Sequence, residues 1–134
     1  MKNKHKVKHG NISSLTIRRL GDLEMRVVDA AGPLNLTFLH ESLPPNGTAP
    51  YVIHSRTMEF VYVTKGEMTG IIDGRKIRLR EGDYLFLPCG VEHRFEAAGA
   101  GVEAVSVFLP QMDMNKPDAK IVFSKKKSRR LSKV

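Results

Sequence analysis

The stretch from Gly82 to His93 constrains the fold of this chain more than any other feature. It reads Gly-Asp-Tyr-Leu-Phe-Leu-Pro-Cys-Gly-Val-Glu-His, so that a glycine is followed after five residues by Pro-x-Gly and then, two residues later, by a histidine. The glycines and the proline predict two sharp turns, and the four apolar residues between them predict a short strand. The pattern therefore predicts one imidazole that a rigid turn holds in the space between two sheets.

Other segments also have the pattern of short strands joined by turns. Leu34 to Phe38 alternates with period two, which is typical of a strand with one buried face. Asp73-Gly74 separates two strand-like runs and is the strongest short signal for a hairpin. In the second of these runs we expect Ile77 and Leu79 to face inward and the basic residues to face outward.

The segments that follow complete an all-β prediction. Tyr84 to Leu87 is apolar throughout and is predicted to be a central strand, and the small residues 97–101 are predicted to form a turn between two more strands. Short strands at regular spacing, without a helical period, predict a sandwich or barrel over residues 15–112. Residues 1–14 and 113–134 lack this pattern and are predicted to be irregular basic tails.

Length and cysteine content limit the class of protein. At 134 residues the chain has room for one domain, and without a run of about 18 apolar residues no membrane span is predicted. Cys89 is the only cysteine, so no disulfide can form within the chain. A reducing cytoplasm is therefore the simplest location.

The net charge of +8 is unevenly distributed along the chain. Residues 1–20 carry a net charge of +6 and residues 116–134 carry +7, whereas the segment between them carries −5. Segregated charge of this kind is typical of solvated, mobile termini. The alternative is loose attraction to nucleic acid or to an acidic partner. No aromatic residue is interleaved with the Lys-Lys-Lys-Ser-Arg-Arg run, so a stacking platform for bases is not predicted.

The segment from Gly47 to Ala97 resembles the cupin superfamily of small jelly-roll β-barrels. The second motif of that family is matched in residue type and spacing by Gly82, Pro88, Gly90 and His93, with Ala97 in place of the closing asparagine. The resemblance implies an all-β, double-stranded β-helix (jelly-roll) fold. It says little about the reaction, because cupins include oxygenases, isomerases, lyases, binding domains and storage proteins.

The first cupin motif is matched only in part. Glu59 and Gly66 have the family's separation, and His54 stands in the place of the second histidine. Val52 stands where the first histidine is expected, and Gly47 falls one residue short of its usual offset. The resemblance implies a metal site made of His54, Glu59 and His93, one histidine short of the family's usual set of three histidines and one glutamate.

Two imidazoles and one carboxylate suit Fe²⁺, Mn²⁺, Ni²⁺ or Zn²⁺ and leave positions open for a ligand. The alternative interpretation is a decayed site, in which the two histidines are hydrogen-bonded pocket residues. His40 continues the alternation of Leu34 to Phe38 and would then face the interior as a fourth ligand or general base, or else it ends a strand and points at solvent. Arg56 is a second candidate, either holding a substrate carboxylate or lying exposed on a turn.

The sequence thus predicts a small cytoplasmic cupin that binds a divalent metal and a small polar ligand and is a candidate metal-dependent enzyme. Two alternatives stay open, a metal-free ligand-binding or sensing module and a scaffold that binds nucleic acid or an acidic partner through its tails. A homodimer is also expected, because open sheet edges invite pairing and the resemblance implies that dimers are common.

Overall fold

The computed structural model describes residues 7–28 and 34–122, which form one curled antiparallel sheet. A single 3₁₀ turn (Ile12–Ser14) precedes the strands. The strands are β1 (Ile17–Leu20), β2 (Leu23–Val28), β3 (Thr37–Leu43), β4 (Val52–His54), β5 (Met58–Ile72), β6 (Arg75–Arg80), β7 (Tyr84–Leu87), β8 (His93–Leu109) and β9 (Ala119–Ile121). The predicted all-β barrel is confirmed. Among the described residues no helix has the length and hydrophobicity needed to cross a bilayer.

Two long strands close the barrel. β5 and β8 pair along their whole lengths, from Met58 opposite Leu109 to Ile72 opposite His93. β8 also pairs with β3 and β4, so it joins the two parts of the sheet. The interior of the barrel contains a core cluster of small and medium apolar side chains: Leu43, Val61, Val63, Met68, Leu79, Ala97, Val102 and Ala104.

The predicted hairpin at Asp73-Gly74 is present between β5 and β6. Both residues have positive φ, +50° and +83°, as a two-residue hairpin turn requires. Leu79 is buried and Ile77 is half-buried, while Lys76, Arg78 and Arg80 are exposed. The predicted orientation of this strand is therefore confirmed.

The predicted turn at residues 97–101 is instead a bulge within β8. Gly66 pairs with Val102 and Met68 pairs with Ala97, so residues 98–101 lie opposite a single residue of β5. Small residues permit this because the backbones approach closely: a Cβ atom on Gly66 would lie 2.3 Å from the carbonyl oxygen of Gly101. The chain bends here and continues as one strand.

β7 is an edge strand rather than the predicted central one. It pairs only with β5 among the described strands, and Tyr84 and Phe86 are 69% and 53% exposed. The segment is apolar throughout because Leu87 packs inward while the two aromatic residues belong to an apolar outer face. Continuous hydrophobicity therefore did not indicate burial on both faces here.

The segment 113–122 is ordered on the barrel, although the sequence predicts an irregular tail. Its strand β9 pairs with β4, and Asp118 accepts hydrogen bonds from the backbone N–H groups of Arg56 and Thr57, at 2.7 and 2.8 Å. A three-residue strand is too short to leave a periodic pattern in the sequence. The Lys-Lys-Lys-Ser-Arg-Arg run and His5 lie outside the described residues.

Candidate metal site in the barrel

Three strands bring His54, Glu59 and His93 together. His54 ends β4, Glu59 lies near the start of β5, and His93 begins β8. The turn before β8 is fixed on β4, because the N–H of Gly90 donates to the carbonyl of His54 at 2.8 Å and Val52 pairs with His93. The glycine, which has φ of +85°, thus sets the second histidine beside the first.

The three side chains converge deep in the barrel. The Oε1 atom of Glu59 lies 3.5 Å from the Nε2 atom of His54 and 3.3 Å from the Nε2 atom of His93. All three residues are at least 93% buried, and one ligand atom from each lies within 4.8 Å of the others. The two imidazole rings are stacked with centroids 5.4 Å apart.

The buried carboxylate oxygen in this cluster has no hydrogen-bond donor. The Nδ1 atom of His93 lies 2.9 Å from the carbonyl oxygen of Val91, which can only accept, so Nδ1 carries a hydrogen. In the neutral ring Nε2 then presents a lone pair toward Glu59, whose Oε1 atom has no hydrogen-bond partner. Two acceptors that face each other at this distance need a proton or a cation between them. The donor set therefore fits a divalent metal ion.

Two of the three candidate ligands have polar neighbours behind them. The hydroxyl of Ser106 donates to the other oxygen of Glu59, Oε2, at 2.9 Å. Behind His54, the Oδ1 atom of Asp118 lies 3.9 Å from Nδ1. At this distance the carboxylate makes no hydrogen bond to the imidazole and acts on it through its charge. Ser106 thus supplies to Glu59 the kind of outer hydrogen bond that metal-binding residues commonly have.

Most of the barrel matches one known protein family. The family model of the cupin domain matches residues 39–108, just over half of the chain, and includes all three clustered residues. The protein is a member of the cupin family. No curated protein sequence matches it.

Solved structures with the same fold extend the comparison. A variant of PAC13 from Streptomyces, solved with uridine, superposes with a TM-score of 0.75 at 14% identity over 89% of this chain and 92% of its own. KdgF from Halomonas gives 0.72 at 18% identity over 83% and 100%. A predicted oxalate decarboxylase from Thermotoga maritima gives 0.66 at 22% identity over 73% and 95%. At these identities the likeness shows the cupin fold alone.

The buried charges of this cupin perturb one another. Burial alone would raise the pKa of Glu59, but contacts with His54 and His93 prevail and lower it to about 2. Burial favours the neutral form of His93, but the carboxylate of Glu59 and the carbonyl of Val91 outweigh it, so the pKa of His93 is raised. In the absence of a metal the pair therefore favours a carboxylate beside an imidazolium.

Glu41 is a fourth ionisable residue in the cavity, and sequence reasoning missed it. It lies on β3 with its side chain facing the same cavity as the candidate ligands. Burial, followed by repulsion from Glu59, raises the pKa of Glu41 to about 8, although Ser106 and His93 act in the opposite direction. In the metal-free protein its carboxyl group therefore favours the protonated form near neutral pH. The one signal in the sequence that could have indicated Glu41 is its position two residues from both Leu39 and Leu43, which puts the three side chains on one face of the strand.

His40 and Arg56 lie away from the cluster. His40 is on the outer face of β3, with its Nε2 atom 3.4 Å from Oε1 of Glu103, because Thr37, Leu39 and Glu41 are the inward residues. The alternation predicted the opposite orientation of this strand because its outer face is itself apolar. Arg56 is exposed, and its guanidinium donates to the carbonyl of Gln111 at 2.7 Å. Neither side chain lines the cavity.

The cavity above the cluster has a volume of about 380 Å³. Its described lining is mainly apolar, and Val52 forms part of the wall in the place of the missing histidine. The exposed thiol of Cys89 is not part of this lining. The alternative of nucleic-acid binding rests on the basic run outside the described residues and stays a prediction.

Proposed function

We propose that this cupin binds one divalent metal ion through His54, Glu59 and His93 and acts on a small molecule in the barrel cavity. The observation that carries the proposal is the buried Oε1 atom of Glu59, which has no donor and is flanked by two imidazole nitrogens at 3.3 and 3.5 Å. A cation among these atoms would satisfy all three at once.

The chemistry of the donor set limits the metal. Two neutral imidazoles and one carboxylate suit Fe²⁺, Mn²⁺, Ni²⁺ or Zn²⁺ and leave open positions for the ligand. When bound, such an ion would supply Lewis acidity or a site for O₂. The named activities of two fold neighbours, a nucleoside dehydratase and a predicted oxalate decarboxylase, support lyase-type chemistry among the oxygenase, isomerase and lyase options.

Glu41 would serve as the proton donor or acceptor. In the metal-free protein its pKa is raised to about 8, and its side chain faces the cavity from β3, which β8 separates from the strand of Glu59. A general acid with a pKa near the working pH transfers a proton efficiently in both directions. Glu59, with its lowered pKa, stays ionised and holds the cation.

Elemental analysis of protein purified without chelator tests the metal proposal. One equivalent of a first-row divalent metal per chain is expected, and it should be lost in His93→Ala. His40→Ala is the matched control, because it removes an imidazole from the outer face and should leave the metal in place. A folded wild-type protein that holds no metal and takes none up on dialysis would overturn the proposal.

A metal-free binding or sensing module is the second candidate function, and Val52 is the observation that favours it. Its side chain, 8% exposed, forms cavity wall where the family has a histidine. In that case the proton of an imidazolium, rather than a metal, would bridge Glu59 and His93. The same elemental analysis separates the two candidates.

We also propose that the chain forms a homodimer through the outer face of the sheet. Directly opposed residues across β2, β3, β8, β5 and β7 form one apolar row: Val28, Phe38, Val107, Phe60 and Phe86. The solvated face of an antiparallel sheet is normally polar. This row therefore marks a face that a partner covers.

The size of this outer face suits a second copy of the chain. Phe60, Tyr62, Tyr84 and Phe86 are 39%, 43%, 69% and 53% exposed. At about 150–250 Å² per aromatic side chain they expose roughly 300–500 Å² together. A stable interface buries about 800 Å² per partner, which the aliphatic neighbours and a polar rim would complete. Two identical sheet faces pack on each other as in a sandwich.

A cytoplasmic location remains part of the proposal. The support for it is Cys89, a free and exposed thiol on the turn between β7 and β8. Exposed thiols persist where the compartment is reducing.

A further inference from the structure

We propose that the ligand of the barrel cavity is an organic acid with an apolar body, whose carboxylate reaches the His54–Glu59–His93 cluster. The inference rests on the proposed function, because the bound cation forms the polar end of the cavity. It replaces the small polar ligand predicted from the sequence with a larger, amphipathic one.

The apolar body follows from the cavity walls. Most of the lining consists of aliphatic, aromatic and thioether side chains, among them Leu39, Phe108, Met25, Met112 and Met114. Leu39, Phe108 and Met112 pack on one another as a separate core cluster, with Met25 and Met114 against it. A small polar ligand would leave its own hydroxyl or amide groups without partners against these walls, which is costly. Methionine side chains adapt to the shape of an apolar guest.

The polar residues of the lining divide into two groups. One group is the candidate metal cluster with Glu41, and the other consists of Arg18, Arg19 and Arg94. Two of these arginines already have acidic partners, because Arg19 pairs with Glu24 and Arg94 with Glu96. The rest of the lining therefore offers few free hydrogen-bonding groups to a ligand.

The anionic head follows from the charge of the loaded cluster. A divalent ion, two neutral imidazoles and the carboxylate of Glu59 sum to one positive charge. The loaded site therefore attracts an anion, and a carboxylate supplies the oxygen ligand that the open positions accept. Arg18, for which no ion pair is found among the described residues, adds positive potential at the cavity.

Calorimetry with a homologous series of acids tests the proposal on Zn²⁺-loaded full-length protein. Acetate, butyrate, hexanoate and octanoate should bind with increasing affinity, by about fourfold per added methylene until the cavity is full. 6-Hydroxyhexanoate, which adds a neutral hydroxyl to the far end of hexanoate, should bind more weakly than hexanoate. An affinity that is flat along the series, or 6-hydroxyhexanoate binding as tightly as hexanoate, would overturn the apolar body.

A wall variant localises the effect. Met25→Gln keeps the length of the side chain but adds an amide, and it should weaken octanoate about tenfold while leaving acetate and Zn²⁺ binding unchanged. Met58→Gln is the matched control, because that methionine lies on the outer face and should not alter the series. Equal effects of the two substitutions would contradict the assignment of this cavity.

Failure of this inference is distinguishable from failure of the metal proposal. Zn²⁺ stoichiometry is measured first in the same preparation. If Zn²⁺ does not bind, the proposed function fails, and 1-octanol titrated into the metal-free protein still tests the apolar walls alone. If Zn²⁺ binds but neither octanoate nor 1-octanol does, the ligand class is wrong while the metal site stands.

Discussion

The Nε2 atom of His93 lies 3.3 Å from the Oε1 atom of Glu59, and the two atoms face each other as acceptors when the imidazole is neutral. The ring cannot turn its other nitrogen inward without losing the contact of Nδ1 with the carbonyl of Val91. The backbone turn that delivers His93 therefore also sets which nitrogen faces the carboxylate. These two facing atoms create a site for a proton or a metal cation deep in the barrel.

Metal binding should raise the thermal stability of the wild-type protein. At about a thousand times its dissociation constant a bound ion stabilises the fold by about 4 kcal/mol, which raises Tm by about ten degrees for a domain of this size. Differential scanning fluorimetry with Fe²⁺, Mn²⁺, Ni²⁺ and Zn²⁺ measures the shift. His54→Ala should abolish it, whereas His40→Ala should retain it.

The same shift should shrink as the pH falls. Metal and proton compete for Nε2 of His93, and because the pKa of His93 is raised, the competition begins above the ordinary value of about 6.5. A Tm shift that is the same at pH 6 and pH 8 would contradict an imidazole-bound metal.

Replacement of Asp118 should weaken both the metal site and the fold. Its carboxylate accepts hydrogen bonds from the backbone of Arg56 and Thr57 and lies 3.9 Å from Nδ1 of His54. Asp118→Asn should lower the free energy of unfolding by about 1–3 kcal/mol. It should also lower the metal affinity, because it removes a negative charge near His54. Urea denaturation and metal titration measure the two effects. Asp113→Asn, an exposed change in the same segment, is the control and should do neither.

Sequence patterns located the candidate ligands because turn residues leave strong local signals. The spacing of Gly82, Pro88, Gly90 and His93 indicated where one imidazole lies, and its partner motif indicated His54 and Glu59. The structure brings these three side chains within 4.8 Å of one another. Local turn chemistry and a family spacing were sufficient for this part of the site.

The remaining parts of the site depend on contacts that leave no local pattern. Glu41 was missed because Leu36 and Phe38 suggested that even-numbered residues of β3 face inward, whereas the outer face of this sheet is itself apolar. Asp118 was missed because its partners lie more than 60 residues away along the chain. Alternation shows that a strand has two faces, but only tertiary packing decides which of them is interior.

Glu41 should make the metal-free protein less stable as the pH rises. Its pKa is about 8 in the fold, above the ordinary 4.5, so between these values the folded state binds more protons than the unfolded state. Stability contributed by its neutral form is present below about pH 4.5 and is lost as the pH rises toward 8. Glu41→Gln should remove this loss.

The measurement is the free energy of unfolding by urea at pH 5 and pH 8, in the presence of chelator. The gain of Glu41→Gln over wild type should increase by about 1–3 kcal/mol between the two values; the side chain retains access to the cavity, which reduces the full linkage effect. Glu81→Gln, an exposed carboxylate in a turn, is the control and should show no such increase. A gain that is constant with pH would mean that Glu41 is ionised in the fold.

Disruption of the apolar outer face should convert the proposed dimer to a monomer. Phe86 lies on edge strand β7, directly opposite Phe60 on β5, and both side chains are exposed in the single chain. Phe86→Lys would bury a charge in the interface of two copies, which costs several kcal/mol, so analytical ultracentrifugation should find a dimer for wild type and a monomer for the variant. Ile121→Lys, an equally exposed aliphatic position on β9, should leave the dimer intact. A wild-type protein that sediments as a monomer at tens of micromolar, or a Phe86→Lys variant that remains dimeric, would show that this face serves another purpose.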